Sequence, residues 1–365
     1  MRLGVGRAIV EGTSVAGDVE IEDGTITAVG LSGGGSGLAA PGFVDIQVNG
    51  FAGIDFAAAR PDDYTAVGRA LAATGVTAYQ PTLITLPEEV TIAALQALGS
   101  HSPAAPAPHI IGMHLEGPFL SPHRAGAHDA ASMHDPDPAL AERLIRAGPV
   151  TMVTVAPERP GALDLIELFQ DRGIVVSCGH SDATAAEAHA AFDLGARTVT
   201  HLFSAHPPFH HRKPGLAGAA LSRPDVTASI ILDGFHLADE VVKIACSAPA
   251  SIALITDAIS AAGLGEGAYP LGDRTVHVSG GAARLENGTL AGSVLTMDRA
   301  VRNLVEIGIG LESAIHAATA VPARVMGRSD LGTLRVGGPA DLVVLDDRLE
   351  PVRTLVGGHE LFSAR

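Results

Sequence analysis

Glu116, His180, His201 and Asp257 each stand where an apolar, strand-like run of the chain ends. They fall in the stretches His114-Leu-Glu-Gly-Pro-Phe119, Gly179-His-Ser-Asp182, Thr200-His-Leu-Phe203 and Ile255-Thr-Asp-Ala258. One carboxylate and two imidazoles make a three-ligand set with a position left for water, the pattern of a catalytic divalent ion. A further carboxylate beside that water can take its proton during attack and return it to the leaving group. The chemistry this implies is metal-assisted hydrolysis. The separations of 64 and 21 residues between the first three groups carry no signature; placement at strand ends carries the argument. Each residue also has a plainer reading. Glu116 suits a surface turn before Gly-Pro, a lone His at a strand end is more often structural, and Asp257 would serve as a helix N-cap before Ala258 and Ile259.

Two further histidines are placed to donate a hydrogen bond to a substrate oxygen: His128, in a loop after the third run, and His236, after the seventh. The segment His206-Pro-Pro-Phe-His-His-Arg-Lys-Pro-Gly215 is the most cationic point of a chain whose net charge is −16. Such a loop suggests a local anion clamp, with Arg212 as its best candidate. His109, His189, His277, His316 and His359 read as structural or surface residues, and Cys178 as a small buried strand residue.

The elements that must position these groups follow from the apolar pattern. Eight runs, Phe43–Val48, Val76–Gln80, Ile110–Leu115, Val150–Val155, Ile174–Cys178, Thr198–Thr200, Val226–Leu232 and Ile252–Thr256, are mostly continuous in Val and Ile. Parallel strands buried on both faces have this composition. Helical patterns lie between them at Asp62–Ala73, Glu88–Leu98, Pro138–Ala147, Leu163–Arg172, Ala183–Leu194 and Ala238–Cys246, with Thr296–Ile307 and Glu312–Ala318 after the last run. Eight such units argue an α/β fold of the (β/α)8 TIM-barrel type over 41–330, with its site at the C-terminal ends of the strands. A doubly wound open sheet also alternates strand and helix, but eight repeats with polar strand ends favour the barrel. The Gly-rich segment 263–292 interrupts the pattern and reads as a β-hairpin insertion. The Pro/Ala-rich stretch 101–109 reads as a loop. Residues 1–40 and 331–365 are both rich in short strands and Gly turns, and are expected to combine into one small β-sandwich domain; two unrelated end segments are the alternative.

Composition sets the outer limits. Hydrophobic residues make up 47% of the 365-residue chain, ample for a large core, and with no Trp that core rests on Ala, Val, Ile and Leu. With 24 basic against 40 acidic residues and no Lys/Arg cluster, a nucleic-acid surface is not expected. No apolar run reaches the roughly 20 residues of a membrane span. Two cysteines and no signal-like core at the start point to a reducing cytoplasm.

With these residues in view, the chain resembles the amidohydrolase superfamily, and within it the N-acetylglucosamine-6-phosphate deacetylases. The matching motifs run in order from Pro41-Gly-Phe-Val-Asp-Ile-Gln-Val-Asn-Gly50 through His114–Phe119, Gly126–His128, Gly179–Thr184, Thr200–Phe203, Asp233–His236 and Thr256–Ala258 to Thr289–Ser293. The resemblance implies a distorted (β/α)8 barrel with a β-sandwich from both termini, and a homodimer. It implies Glu116, His180 and His201 as metal ligands and Asp257 as general acid/base. It places Ala127, His128, Ser204, Ala205, Arg212, Asp233, His236, Leu290, Ala291 and Gly292 around the substrate, with Arg212 reaching the phosphate of a neighbouring subunit. Where many amidohydrolases carry His-X-His for a second metal, this chain has Gln47 and Asn49, and neutral amides are poor ligands for a transition metal. One divalent ion per chain is therefore expected, zinc first, with iron, manganese and cobalt also suited to this ligand set. The family's Asn-Ala-Met turn is here Ser204-Ala-His206.

The expected activity is removal of acetate from N-acetylglucosamine 6-phosphate in amino-sugar catabolism, with His128 and the metal stabilising the oxyanion. The alternatives are an amidohydrolase acting on another N-acetyl amino sugar or a cyclic amide, and a catalytically silent barrel that binds a sugar phosphate.

Overall fold

The computed structural model describes residues 1–103 and 106–364. Its centre is a ring of eight parallel strands: β1 (Phe43–Val48), β2 (Val76–Leu83), β3 (Met113–Glu116), β4 (Val150–Val155), β5 (Val175–Cys178), β6 (Thr198–Val199), β7 (Thr227–Ile230) and β8 (Ser251–Leu254). Every residue of β1 and β2 is buried, the polar Asp45, Gln47, Thr77, Gln80 and Thr82 included. Among the described residues the ring closes only at its C-terminal rim. There Val48 and Ala258 form a parallel bridge, the Asp257 N–H donates to Gln47 O at 2.9 Å and the Asn49 N–H to Ala258 O at 2.7 Å. The seam of the barrel thus runs through residues singled out for chemistry.

Helix Pro138–Ala147 has the expected bounds, and the other expected helices differ by one or two residues. Thr184 shows why the helix expected at Ala183–Leu194 starts late. It closes a capping box with Glu187, so the helix begins at Ala185. Helices Gly215–Leu221 and Ala320–Val325 were not expected; the first is uniformly small and apolar and has no polar face to mark its period. The third run splits at Gly112, whose φ of 117° breaks the strand. His109–Ile110 pairs with β2 separately, and β3 extends one residue further, to include Glu116. Of the loop expected at 101–109, residues 104 and 105 lie outside the described residues. The insertion after β8 is a three-stranded antiparallel sheet, Gly267–Leu271, Arg274–Ser279 and Ala282–Arg284, where a hairpin was expected. The Gly280-Gly281 pair, both at positive φ, makes a second tight turn and adds the third strand.

Both termini meet in one six-stranded sheet, ordered Thr13–Ala16, Arg7–Val10, Leu38–Pro41, Leu342–Leu345, Pro351–Val356, His359–Ser363. Its central pair joins the two ends of the chain, Leu38–Pro41 lying antiparallel to Leu342–Leu345. The run Leu342-Val-Val-Leu345 is buried on both faces. Leu342 and Val344 pack into a small core beneath the hairpin Asp18–Glu22/Thr25–Leu31, while Val343 and Leu345 join the barrel core. His109 ties the two bodies together through a 2.8 Å contact with Asp341.

Leu342 is fully buried in the smaller core. Leu342→Ala is expected to lower stability by about 2–5 kcal/mol in chemical denaturation, with turnover per folded molecule retained.

Candidate metal and substrate site

Glu116 ends β3, and His180 and His201 follow the ends of β5 and β6, so neighbouring strand ends bring all three to one point. His180 Nε2 and His201 Nε2 lie 3.2 and 2.8 Å from Glu116 Oε1, and 3.1 Å from each other. Donors held at ~2.1 Å around a small divalent ion stand about 3 Å apart, so this triangle has the size such an ion requires. It is the one such cluster among the described residues. Close approach of the chain makes it possible. A Cβ on Gly179 would come within 2.2 Å of the Thr200 side chain, so only glycine fits between β5 and β6. The orientation of His180 is set from behind: its Nδ1 lies 2.8 Å from Arg124 O, which leaves Nε2 free for the cluster. The following turn is pinned by Glu158, which accepts from Ser181 Oγ and the Asp182 N–H.

Burial alone would push the Glu116 carboxyl up, but hydrogen bonds from His128, His180 and His201 hold it well below its usual range. His128 stands above Glu116, with Nε2 3.4 Å from Oε2. The Thr85 backbone N–H donates to His128 Nδ1 at 3.0 Å, so the ring's proton is on Nε2. Burial, then neighbouring His180, lowers this imidazole to about 4. His128 is therefore a neutral N–H donor facing the cavity.

Asp257 occupies the opposite wall. No helix starts at Ala258, so capping does not account for this carboxylate. Asn49 Nδ2 donates to its Oδ1 at 2.7 Å, and Gln47 Nε2 spans Asp257 Oδ1 at 3.2 Å and Glu116 Oε1 at 3.1 Å. Thr200 Oγ1 donates to Gln47 Oε1 at 2.6 Å and thereby directs the amide nitrogen at both carboxylates. The two amides thus offer N–H donors where a second cation's ligands would stand. Burial, then the charge of Glu116, raises Asp257 to about 6, a value suited to exchanging a proton near neutrality.

These groups open into a cavity of about 500 Å³, ample for a monosaccharide derivative. Ala127, His128, Ser204, Ala205, His236, Leu290 and Gly292 line it. Three expected substrate contacts lie elsewhere. Ala291 is fully buried in the core of the inserted sheet, because alternation along the chain turns Leu290 and Gly292 to the cavity and Ala291 away. Asp233 acts behind His236, its Oδ2 2.8 Å from Nδ1, and so frees Nε2 for the cavity. Arg212 sits on the exposed turn His210–Lys213 beside His211 and does not line this chain's cavity. The cavity also shows residues that sequence reasoning missed: Ile84, Phe203, Ile231, Leu271, Arg284 and Thr289. Arg284 had a usable signal. It stands three residues before the Asn287-Gly288 turn, and hairpin pairing across that turn sets it opposite Leu290.

Fold and site together define a hydrolase barrel with a buried carboxylate–imidazole centre, and residues 38–361 match the amidohydrolase family. The chain belongs to that family. It is 38% identical to human N-acetylglucosamine-6-phosphate deacetylase over 90% of this chain and 85% of the relative. It is 35% identical to N-acetylgalactosamine-6-phosphate deacetylase of Escherichia coli O157:H7, over 93% of each chain. Among solved structures it superposes with a TM-score of 0.94 on a Mycobacterium smegmatis N-acetyl-D-glucosamine-6-phosphate deacetylase mutant in complex with N-acetyl-D-glucosamine-6-phosphate, at 35% identity, covering 100% of this chain and 99% of that one.

His180→Ala and His201→Ala each remove one corner of the donor triangle. Both are expected to abolish tight divalent-ion binding in a calorimetric titration while the far-ultraviolet circular dichroism keeps its wild-type shape.

Proposed function

We propose that this chain hydrolyses the acetamide of N-acetylglucosamine 6-phosphate to glucosamine 6-phosphate and acetate. The observation that carries this reading is the Glu116–His180–His201 triangle facing Asp257 across one cavity of monosaccharide size. The relatives' substrates supply the chemical identity. One divalent ion per chain, zinc first among the candidates, would be held by Glu116, His180 and His201. When bound, it would supply a water acidified toward neutrality and a Lewis acid for the carbonyl.

The chain's own groups do the rest. Asp257, as carboxylate, takes a proton from the attacking water. The His128 Nε2–H donates to the carbonyl oxygen as it gains charge. Asp257 then gives its proton to the amine nitrogen as the C–N bond breaks. His236, fixed by Asp233, offers Nε2 to the sugar. Gln47 and Asn49 keep the Asp257 carboxylate facing the reacting atoms. The phosphate supplies binding energy far from the reacting bond. Because Arg212 stands outside its own cavity, its service to the phosphate requires a homodimer in which it crosses to the neighbouring site. Two free cysteines suit a cytoplasmic setting.

A second reading, the C4 epimer as substrate, is favoured by the E. coli relative. Comparing kcat/KM for the two N-acetylhexosamine 6-phosphates decides between them, and acetate release from neither removes the proposal.

Asp257→Asn is expected to keep metal and substrate binding and to lose about 100-fold to 10,000-fold in turnover. Since the base acts only when ionised, kcat/KM of the wild type should fall as pH drops through and below about 6; an acidic limb above pH 7 would assign the base elsewhere. Mixing Asp257→Asn with Arg212→Ala chains should restore activity in hybrid dimers if Arg212 acts across the interface. No recovery, with both variants folded and dimeric, rejects that role.

A further inference from the structure

We propose that Arg284 is this chain's own contact for the anionic substituent of the substrate, a specificity residue supplied within the subunit. The inference rests on the sugar-phosphate reading above.

Arg284 is the one Arg or Lys that lines the catalytic cavity among the described residues. Its side chain is exposed there, and its Nη1 donates to Gly288 O at 2.8 Å. No carboxylate lies within ion-pair distance of it among the described residues. By contrast, the nearby cation of the inserted sheet, Arg274, is engaged by Asp129. A guanidinium held by one carbonyl keeps its other N–H donors available for a bidentate anion.

Its position on the cavity wall supports this role. Arg284 ends the third strand of the inserted sheet and bridges to Leu290. The same turn returns through Gly292 to Ser293, whose N–H donates to Asp257 O at 2.8 Å. One continuous wall therefore carries the acid/base residue at the floor and the guanidinium toward the solvent side. The floor holds the groups that would act on the acetamide, while Arg284 offers a cation for the phosphate at the other end of the wall. The place of Arg284 on that wall would thus orient the substrate, acetamide inward and phosphate outward. In a chain with net charge −16, a local cation is needed for this, since the overall field opposes the ligand.

The test compares wild type, Arg284→Ala and Arg284→Lys with N-acetylglucosamine and its 6-phosphate as substrates. Binding of inorganic phosphate and of glucosamine 6-phosphate is measured by calorimetry. For Arg284→Ala, the ratio of kcat/KM for phosphorylated over unphosphorylated sugar is expected to fall at least tenfold, mainly through KM. Phosphate and glucosamine 6-phosphate should weaken in proportion. Arg284→Lys should recover part of the affinity through its charge, but not all, lacking the planar fork. A wild type that prefers the phosphorylated sugar, with the same preference in Arg284→Ala, overturns this inference and leaves the proposed function standing. Equal loss for both sugars, with a lowered Tm, also overturns it and reduces Arg284 to a brace for the Gly288 turn. A wild type that releases acetate from neither sugar fails the functional reading itself.

Discussion

The structure depends on one buried carboxylate. Glu116 sits at the centre of the barrel mouth with three imidazoles and an amide within hydrogen-bonding reach. A charge removed from water costs several kcal/mol unless it is met by donors or a cation. Every neighbouring element can be read as a means of meeting it. Strands β5 and β6 end where they do so that His180 and His201 point at one oxygen. Thr85 fixes the proton of His128 so that the ring donates. Thr200 turns the Gln47 amide so that nitrogen, not oxygen, faces the carboxylate.

That convergence strains the backbone. His180, His201, Phe203, Ala205 and Asp257 all have positive φ, between 28° and 75°, and all lie around the cavity. Non-glycine residues in this region cost on the order of 1–3 kcal/mol each. They persist because the surrounding ladder over-determines them. Asp257 donates its N–H to β1 and accepts from Ser293 with its carbonyl. Gly292 can hold the next turn because a Cβ there would stand 2.8 Å from Asp257 O and 2.5 Å from Ile259 Cγ2. The seam where β1 meets β8 is thus also the place where the Asp257 carboxylate is aimed.

Two bodies beyond the barrel complete the site or support it. The inserted three-stranded sheet has its own apolar core, which includes Ile259, Ala127 and Ala291, so the cavity wall is rooted in packing and not merely draped over the mouth. The terminal sheet lies far from the chemistry in role. Its shared strand Leu342–Leu345 feeds residues alternately into two cores, and so couples closure of the chain ends to the stability of the barrel.

The eight parallel strands, the places of most helices to within two residues and the candidate residues Glu116, His180, His201 and Asp257 were legible in the sequence. The reason is local: strands buried on both faces write continuous Val/Ile runs, and a polar residue ending such a run stands out. Helix Gly215–Leu221 was not legible, because small apolar residues throughout leave no period to read. The sequence by itself marked the candidate side chains and their place at the ends of barrel strands. Only the tertiary structure decided which atoms meet. It set Asp233 behind His236, turned Ala291 into a core, left Arg212 outside its own cavity and placed Arg284 on the wall. Short-range alternation and turn pairing fix which residues neighbour one another, but which side of a strand or turn faces the cavity depends on how segments far apart in sequence close on one another, and no local pattern carries that.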